Sequence, residues 1–214
     1  MQKIKDFWLW FQENQEAFYN LHNSSEVSKA YYSNMLTEYL ELFDECLGFE
    51  ISLPNGPFDR AVLTLSANGN PNGAMYVVNL INAAPNVPKW KFQAFYQPKH
   101  DLEECKQGLD EPYEFEGLTI KASDIKWFPM DDEGASGKSN LMCFVMGYNE
   151  TVKEIGEELY CSFIHTILQD VLGEAALYRH IDGIYIEDLL FSNFHPYDIH
   201  ELPDYFGLEV KVSL

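Results

Sequence analysis

A large negative charge spread through an aromatic-rich chain is the feature that most restricts what this sequence can become. Thirty-four Asp+Glu oppose fourteen Lys+Arg, a formal net charge of −20, yet 46% of the residues are hydrophobic and 15% aromatic. Acidic chains that remain unfolded lack the aromatic and branched aliphatic side chains whose burial offsets backbone entropy. This chain has them, so it must sort itself into a core and a charged exterior. An exterior of this sign repels nucleic acid and anionic membrane and attracts basic proteins. The expected partner is therefore a basic protein, with no nucleic acid and no membrane.

The charge is uneven. Residues 6–58 hold nine acids against Lys29 alone, and residues 154–210 hold twelve against Arg179 alone. Between residues 60 and 153 twelve acids face nine cations. The two ends carry the field.

No run approaches the ~18 apolar residues that span a bilayer. The start is briefly basic, but Gln12, Glu13, Asn14 and Glu16 interrupt what a signal peptide needs as an apolar centre. Cys46, Cys105, Cys143 and Cys161 lie far apart with no CxxC pair, which reads as four reduced thiols and a cytoplasmic location.

Apolar periodicity predicts the elements. Ile4, Phe7, Trp8, Phe11, Phe18 and Leu21 recur at three- and four-residue spacing and predict an amphipathic helix. Asn23-Ser24-Ser25 ends it and caps a second helix, expected to run to Gly48 with Val27, Tyr31, Leu36, Leu40, Phe43 and Leu47 on one side. Trp10 stands off the first stripe and is expected either to be exposed or to cover a second contact. The period then changes to two. Strands are predicted at 49–53 and 61–67, a helix at 74–84 and a strand at 90–96. The order recurs as an extended 118–130, broken near Ser123, a strand at 140–148, a long helix at 152–172 and a strand at 181–186. Core positions on that helix are Ile155, Leu159, Phe163, Ile167 and Val171. A helical turn at 201–206 and a last alternating strand at 208–214 complete the chain.

The predicted class is α+β, an N-terminal helical hairpin packed on a mixed β-sheet built from two strand-strand-helix-strand units. The expected layout is one domain over 1–214: hairpin 1–48, first unit 49–100, second unit 112–190, C-terminal strand and turn 191–214.

Several motifs resemble chemistry that the residues do not support. Gly134-Ala135-Ser136-Gly137-Lys138-Ser139 approaches a phosphate-binding loop, but the required glycine is Asp132, and Asp131 and Glu133 would also repel an anion. A strand, not a helix, is expected after it. Asn68-Gly69-Asn70-Pro71-Asn72-Gly73 lies between strand and helix, where backbone amides can bind anions, but holds no cation and reads as a tight turn. Cys161 and His165 are spaced to share a helix face but lack two further metal ligands. The tail gathers His180, Asp182, Glu187, Asp188, His195, Asp198, His200 and Glu201, and His195, Asp198 and His200 are its metal candidates. No nucleophile elbow and no motif around a cysteine marks a catalytic residue.

Phe7-Trp8-Leu9-Trp10-Phe11, Ala84-Pro85 with Trp90-Lys91-Phe92-Gln93-Ala94-Phe95, Leu172-Gly173-Glu174, and Glu201-Leu202-Pro203-Asp204-Tyr205-Phe206 resemble landmarks of uncharacterised acidic bacterial α+β proteins. In size and acidity the chain is also similar to bacterial toxin-immunity proteins. Neither resemblance supplies a catalytic residue.

The expected function is non-enzymatic binding of a basic protein, an immunity or inhibitory role being its sharpest form. The contact acids would be Glu38, Glu41, Asp44 and Glu45 near the second helix, and Glu187, Asp188, Asp198, Glu201 and Asp204 in the tail. No cofactor is implied. The alternative is a small-molecule-binding or metal-assisted hydrolytic domain with a pocket near His195, Asp198 and His200.

Overall fold

In the computed structural model, which describes residues 2–54, 56, 59–130, 137–191 and 195–208, the first apolar stripe forms helix α1 (Gln2–Tyr19). One turn at Leu21–Asn23 reverses the chain. Ser25 then caps α2 (Glu26–Glu41) by accepting a hydrogen bond from the Ser28 N–H. α2 ends seven residues before Gly48, its expected limit, so Phe43 and Leu47 lie beyond it. The Asp44 carboxylate accepts from the Cys46 N–H at 3.1 Å, a local turn that competes with further helix.

The chain falls into two compact units, Met1–Tyr96 and Gln97–Leu214. In the first, β1 (Gly48–Ser52) pairs antiparallel with β2 (Ala61–Ser66), and β2 pairs parallel with β3 (Trp90–Ala94) across helix α3 (Pro71–Asn82). Strand order is β1-β2-β3, and the central β2 is buried along nearly its whole length. Aromatic side chains of α1 meet this sheet directly. Trp8 reaches Phe92 at 4.5 Å and Phe11 reaches Trp90 at 5.1 Å between ring centroids. Trp8 Nε1 donates to the Leu80 carbonyl at 2.8 Å, so its one polar atom is satisfied inside the core. Trp10 is buried and stacks on Tyr39 of α2 at 4.0 Å, so it covers the second contact.

The asparagine turn before α3 is held by its own side chains. Asn68 Nδ2 donates to the Cys46 carbonyl and Asn70 Oδ1 accepts from the Asn72 N–H, both at 2.9 Å. A Cβ on Gly73 would fall 2.6 Å from Cys46 Sγ, so only glycine lets α3 approach this closely.

The second unit opens with two elements that periodicity did not predict, α4 (Leu102–Gln107) and β4 (Tyr113–Phe115), and β4 pairs antiparallel with β5 (Leu118–Ile120), the start of the extended segment expected at 118–130. After a turn at Ala122–Asp124, β6 (Lys126–Met130) pairs antiparallel with β7 (Ser139–Val145). β7 pairs parallel with β8 (Ile181–Asp188) across α5 (Tyr148–Ile155), α6 (Glu157–Leu172) and α7 (Glu174–His180). β9 (Tyr197–Asp198) adds to the free edge of β6, giving the order β8-β7-β6-β9, and α8 (Leu202–Tyr205) follows.

Each strand-strand-helix-strand unit builds its own mixed sheet where a single sheet shared by both was expected, with the same pairing in each: antiparallel first, parallel second, second strand between the others. The protein is α+β. The long predicted helix is broken at Gly156, whose φ of +91° only glycine adopts without strain. The break resets the helix face. Tyr160, Ile164 and Leu168 join Phe163, Ile167 and Val171 in the core, while Leu159 and Ile155 are half-buried. Ser139 opens strand β7, the element expected after the glycine-lysine loop. Residues 131–136 of that loop, and 209–214 of the last predicted strand, lie outside the described residues.

Phe11 is fully buried, stacked on Phe18 and edge-on to Trp8, Trp90 and Phe92. Phe11→Ala should therefore cost ~3–5 kcal/mol in denaturant unfolding. A loss of a few tenths would mean that α1 contributes little to this core.

Candidate functional site

The acids expected in the tail are mostly committed inside the second unit. Asp188 is buried, and its carboxylate accepts from the Leu190 N–H at 3.1 Å, so it is not available to an outside partner. Asp198 pairs with Lys126, and its backbone N–H donates to Glu201 at 2.9 Å. Glu187 and Asp204 are exposed. His195 is exposed and His200 half-buried, and His195, Asp198 and His200 do not converge into a metal-binding group among the described residues. His200 and Asp198 border a cleft of about 440 Å³ with Lys121, Lys126 and Cys105. In the first unit Glu38, Glu41 and Glu45 are exposed and Asp44 is half-buried.

Cys161 and His165 do share a face of α6, in a cleft of about 530 Å³ with Tyr178 and Asp182. The Tyr178 hydroxyl lies 3.0 Å from His165 Nε2. Burial holds this imidazole below its usual range, and burial next to Glu157 pushes the Cys161 thiol up. A thiol shifted upward is a poor nucleophile.

The densest chemistry lies in a segment, residues 97–113, to which periodicity assigned no element. Asp101 caps α4, its Oδ1 accepting from the N–H groups of Glu103 at 2.8 Å and Glu104 at 3.3 Å. That cap sets the residue before it, His100, against the fifth residue of the motif, Cys105, which is the geometry of a hydrophobic staple. The chain turns at Gly108 and brings back Asp110. One imidazole nitrogen of His100, Cys105 Sγ and an Asp110 carboxylate oxygen lie within 4.8 Å of one another.

Asp170 on α6 holds this segment in place. Its carbonyl lies within the last turn of α6, where helical partners run out, and accepts from the Lys99 N–H at 2.7 Å. Its carboxylate accepts from the Tyr113 hydroxyl at 2.8 Å and lies 3.7 Å from the Lys99 ammonium. Because the Tyr113 proton points at Asp170, the Tyr113 oxygen is an acceptor for His100 Nε2, 2.7 Å away. The imidazole must then carry its proton on Nε2 and a lone pair on Nδ1. Burial keeps the ring below its usual titration range against the opposing pull of Asp170 and Asp110.

Asp110 is only 3% exposed. Its Oδ2 accepts from the Ser123 N–H at 3.1 Å, while Oδ1 has no hydrogen-bond partner. Burial, then the negative charges of Asp110, Asp101 and Glu104, push the Cys105 thiol up to about 11. That shift and its burial favour the neutral thiol over the thiolate that a nucleophile needs. The sequence signal was the capping pattern itself, His100 and Cys105 bracketing Asp101 and Glu104, with Asp110 five residues on.

Below the usual imidazole range an unfolded chain takes up a proton that folded His165 resists. Its contribution to stability is present above about pH 6.5 and is lost as pH falls. Unfolding free energy should therefore drop between about pH 7 and 5. In His165→Gln, measured by urea titration across that range, the slope should flatten. An unchanged slope would assign the acid sensitivity elsewhere. Comparison of the chain with family models, with curated proteins and with solved structures gave no match.

Proposed function

We propose that this chain works in the cytosol as a non-enzymatic binding protein for a basic protein, with immunity against or inhibition of a bacterial toxin as its sharpest form. One observation carries the reading. Residues 61–88 contain no charged side chain in a chain of net charge −20, and the helix within them presents apolar residues to solvent. Met75 is 64% exposed on α3, and Tyr76 and Val78 are exposed beside it. The turn after α2 adjoins this face: the Phe43 ring lies 6.3 Å from Tyr76, and its neighbour Leu42 is 59% exposed. Glu38 and Glu41 lie in the last turn of α2, and Asp44 and Glu45 in the turn that follows it.

An apolar centre beside a charged rim is the anatomy of a protein-binding surface. The rim's sign selects the partner. Acids steer a basic protein to the patch and oppose a second copy of this chain, which would bring like charges together. The buried or paired state of Asp188 and Asp198 moves the weight of the proposal to the acids of the first unit. Four free cysteines accord with a reducing compartment.

The two halves of such a surface act on different rates. Combined Glu38→Lys, Glu41→Lys and Glu45→Lys should slow association with a basic partner by ~10-fold or more at low salt and flatten its salt dependence. Met75→Ser with Leu42→Ser should chiefly speed dissociation. The measurement is surface-binding kinetics on a basic protein that the wild-type chain retains at low salt and releases at high salt. Retention indifferent to both sets of changes would sink the proposal.

A further inference from the structure

The chemistry of the His100, Cys105 and Asp110 cluster calls for an explanation of its own. A buried carboxylate oxygen without a partner is costly, because nothing replaces the water it gave up. Asp110 Oδ1 is such an atom, and it lies among a thiol and an imidazole whose Nδ1 lone pair is left free by the Tyr113 contact. Sulfur, imidazole nitrogen and carboxylate oxygen, all buried or half-buried, form a donor set rather than an ordinary polar face.

We propose that His100, Cys105 and Asp110 form a site for a divalent zinc ion. Hard ions such as calcium and magnesium need oxygen cages, whereas a thiolate with imidazole suits zinc. Tetrahedral zinc holds such donors at about 2.0–2.3 Å, hence roughly 3.3–3.8 Å from each other. The three atoms lie within 4.8 Å, so side-chain rotations on the order of 1 Å close the set. As the Sγ–zinc bond forms, Cys105 loses its proton to solvent, and the ion takes the place of the partner that Asp110 lacks. The Asp170–Tyr113–His100 chain is the outer support that zinc-ligating histidines require, fixing the tautomer and the ring. Three protein donors leave one coordination position for a further donor. Two of the three flank α4 and the third lies on it, so the ion would pin this short helix to the turn that follows.

The experiment uses the tag-free full chain, dialysed against zinc and then against metal-free buffer. About one equivalent of zinc should remain per chain, and cobalt(II) in its place should show thiolate-to-metal charge-transfer absorption. Asp110→Asn, which preserves shape, should weaken zinc binding by ~10-fold or more, and Tyr113→Phe by about 10–100-fold through a loosened His100. Cys105→Ser should abolish the cobalt charge-transfer band, and Cys161→Ser, at the other cysteine–histidine pair, should leave it intact. If Cys105→Ser does not fold, the Asp110→Asn and Tyr113→Phe affinities decide. Failure of the wild-type chain to retain zinc overturns the proposal, as does a cobalt band that depends on Cys161. So does an Asp110→Asn chain that is more stable than wild type and binds zinc equally well, since Asp110 would then be only a strained carboxylate.

Discussion

A parallel strand pair cannot be closed by a tight turn, and each unit of this protein is organised around one such pair. The connection must climb back over the sheet as helix, and that helix must bury one face. In the first unit the requirement is met by α3 alone, admitted to close range by Gly73. In the second it is met by α5, α6 and α7, with glycines at the breaks redirecting the chain. The antiparallel partners β1 and β6 then need only a loop, and the central strands β2 and β7 become the most buried segments of their sheets.

With so many carboxylates, some are drawn inside, and the second unit gives them structural work. Asp170, Glu174 and Asp188 are buried there together with Asp110. Asp188 closes a turn, while Asp170 ties the 97–113 segment to the end of α6 through both its carbonyl and its carboxylate. Buried acids of this kind rigidify a fold when every oxygen is satisfied and are costly when one is not. Among the described residues Asp110 is the one of these acids with a fully buried oxygen that lacks a partner, and it belongs to the set of side chains there that could hold a metal.

Outside the core the two chemistries of the chain stay apart. The uncharged stretch that supplies β2 and α3 surfaces as an apolar helix face, and acids gather beside it at the end of α2 and in the turn that follows. In water neither feature favours the folded state: exposed apolar area loses its burial, and crowded acids repel. Their adjacency has a physical use when a basic surface covers both.

Much of the fold was legible because its causes are local. A three-to-four residue stripe dictates α1, alternation dictates β1, and Ser25 caps the helix it precedes. The class, both strand-strand-helix-strand units and the landing of Phe7, Trp8, Phe11 and Phe18 in a core all follow from such signals. α4 and β4 escaped because they are too short to show a period, and the end of α2 was overrun because the Asp44 turn outweighs a continuing apolar stripe. The fate of single charges was not legible at all. Composition cannot distinguish an exposed Glu187 from its buried neighbour Asp188, since alternation along β8 sends them to opposite sides. The sequence by itself determined the elements and the sign of the surface, through periodicity and composition. Only the tertiary structure brought Tyr113 and Asp170 to His100 and left one Asp110 oxygen without a partner, because those relations join residues far apart in the chain and depend on how α6 packs.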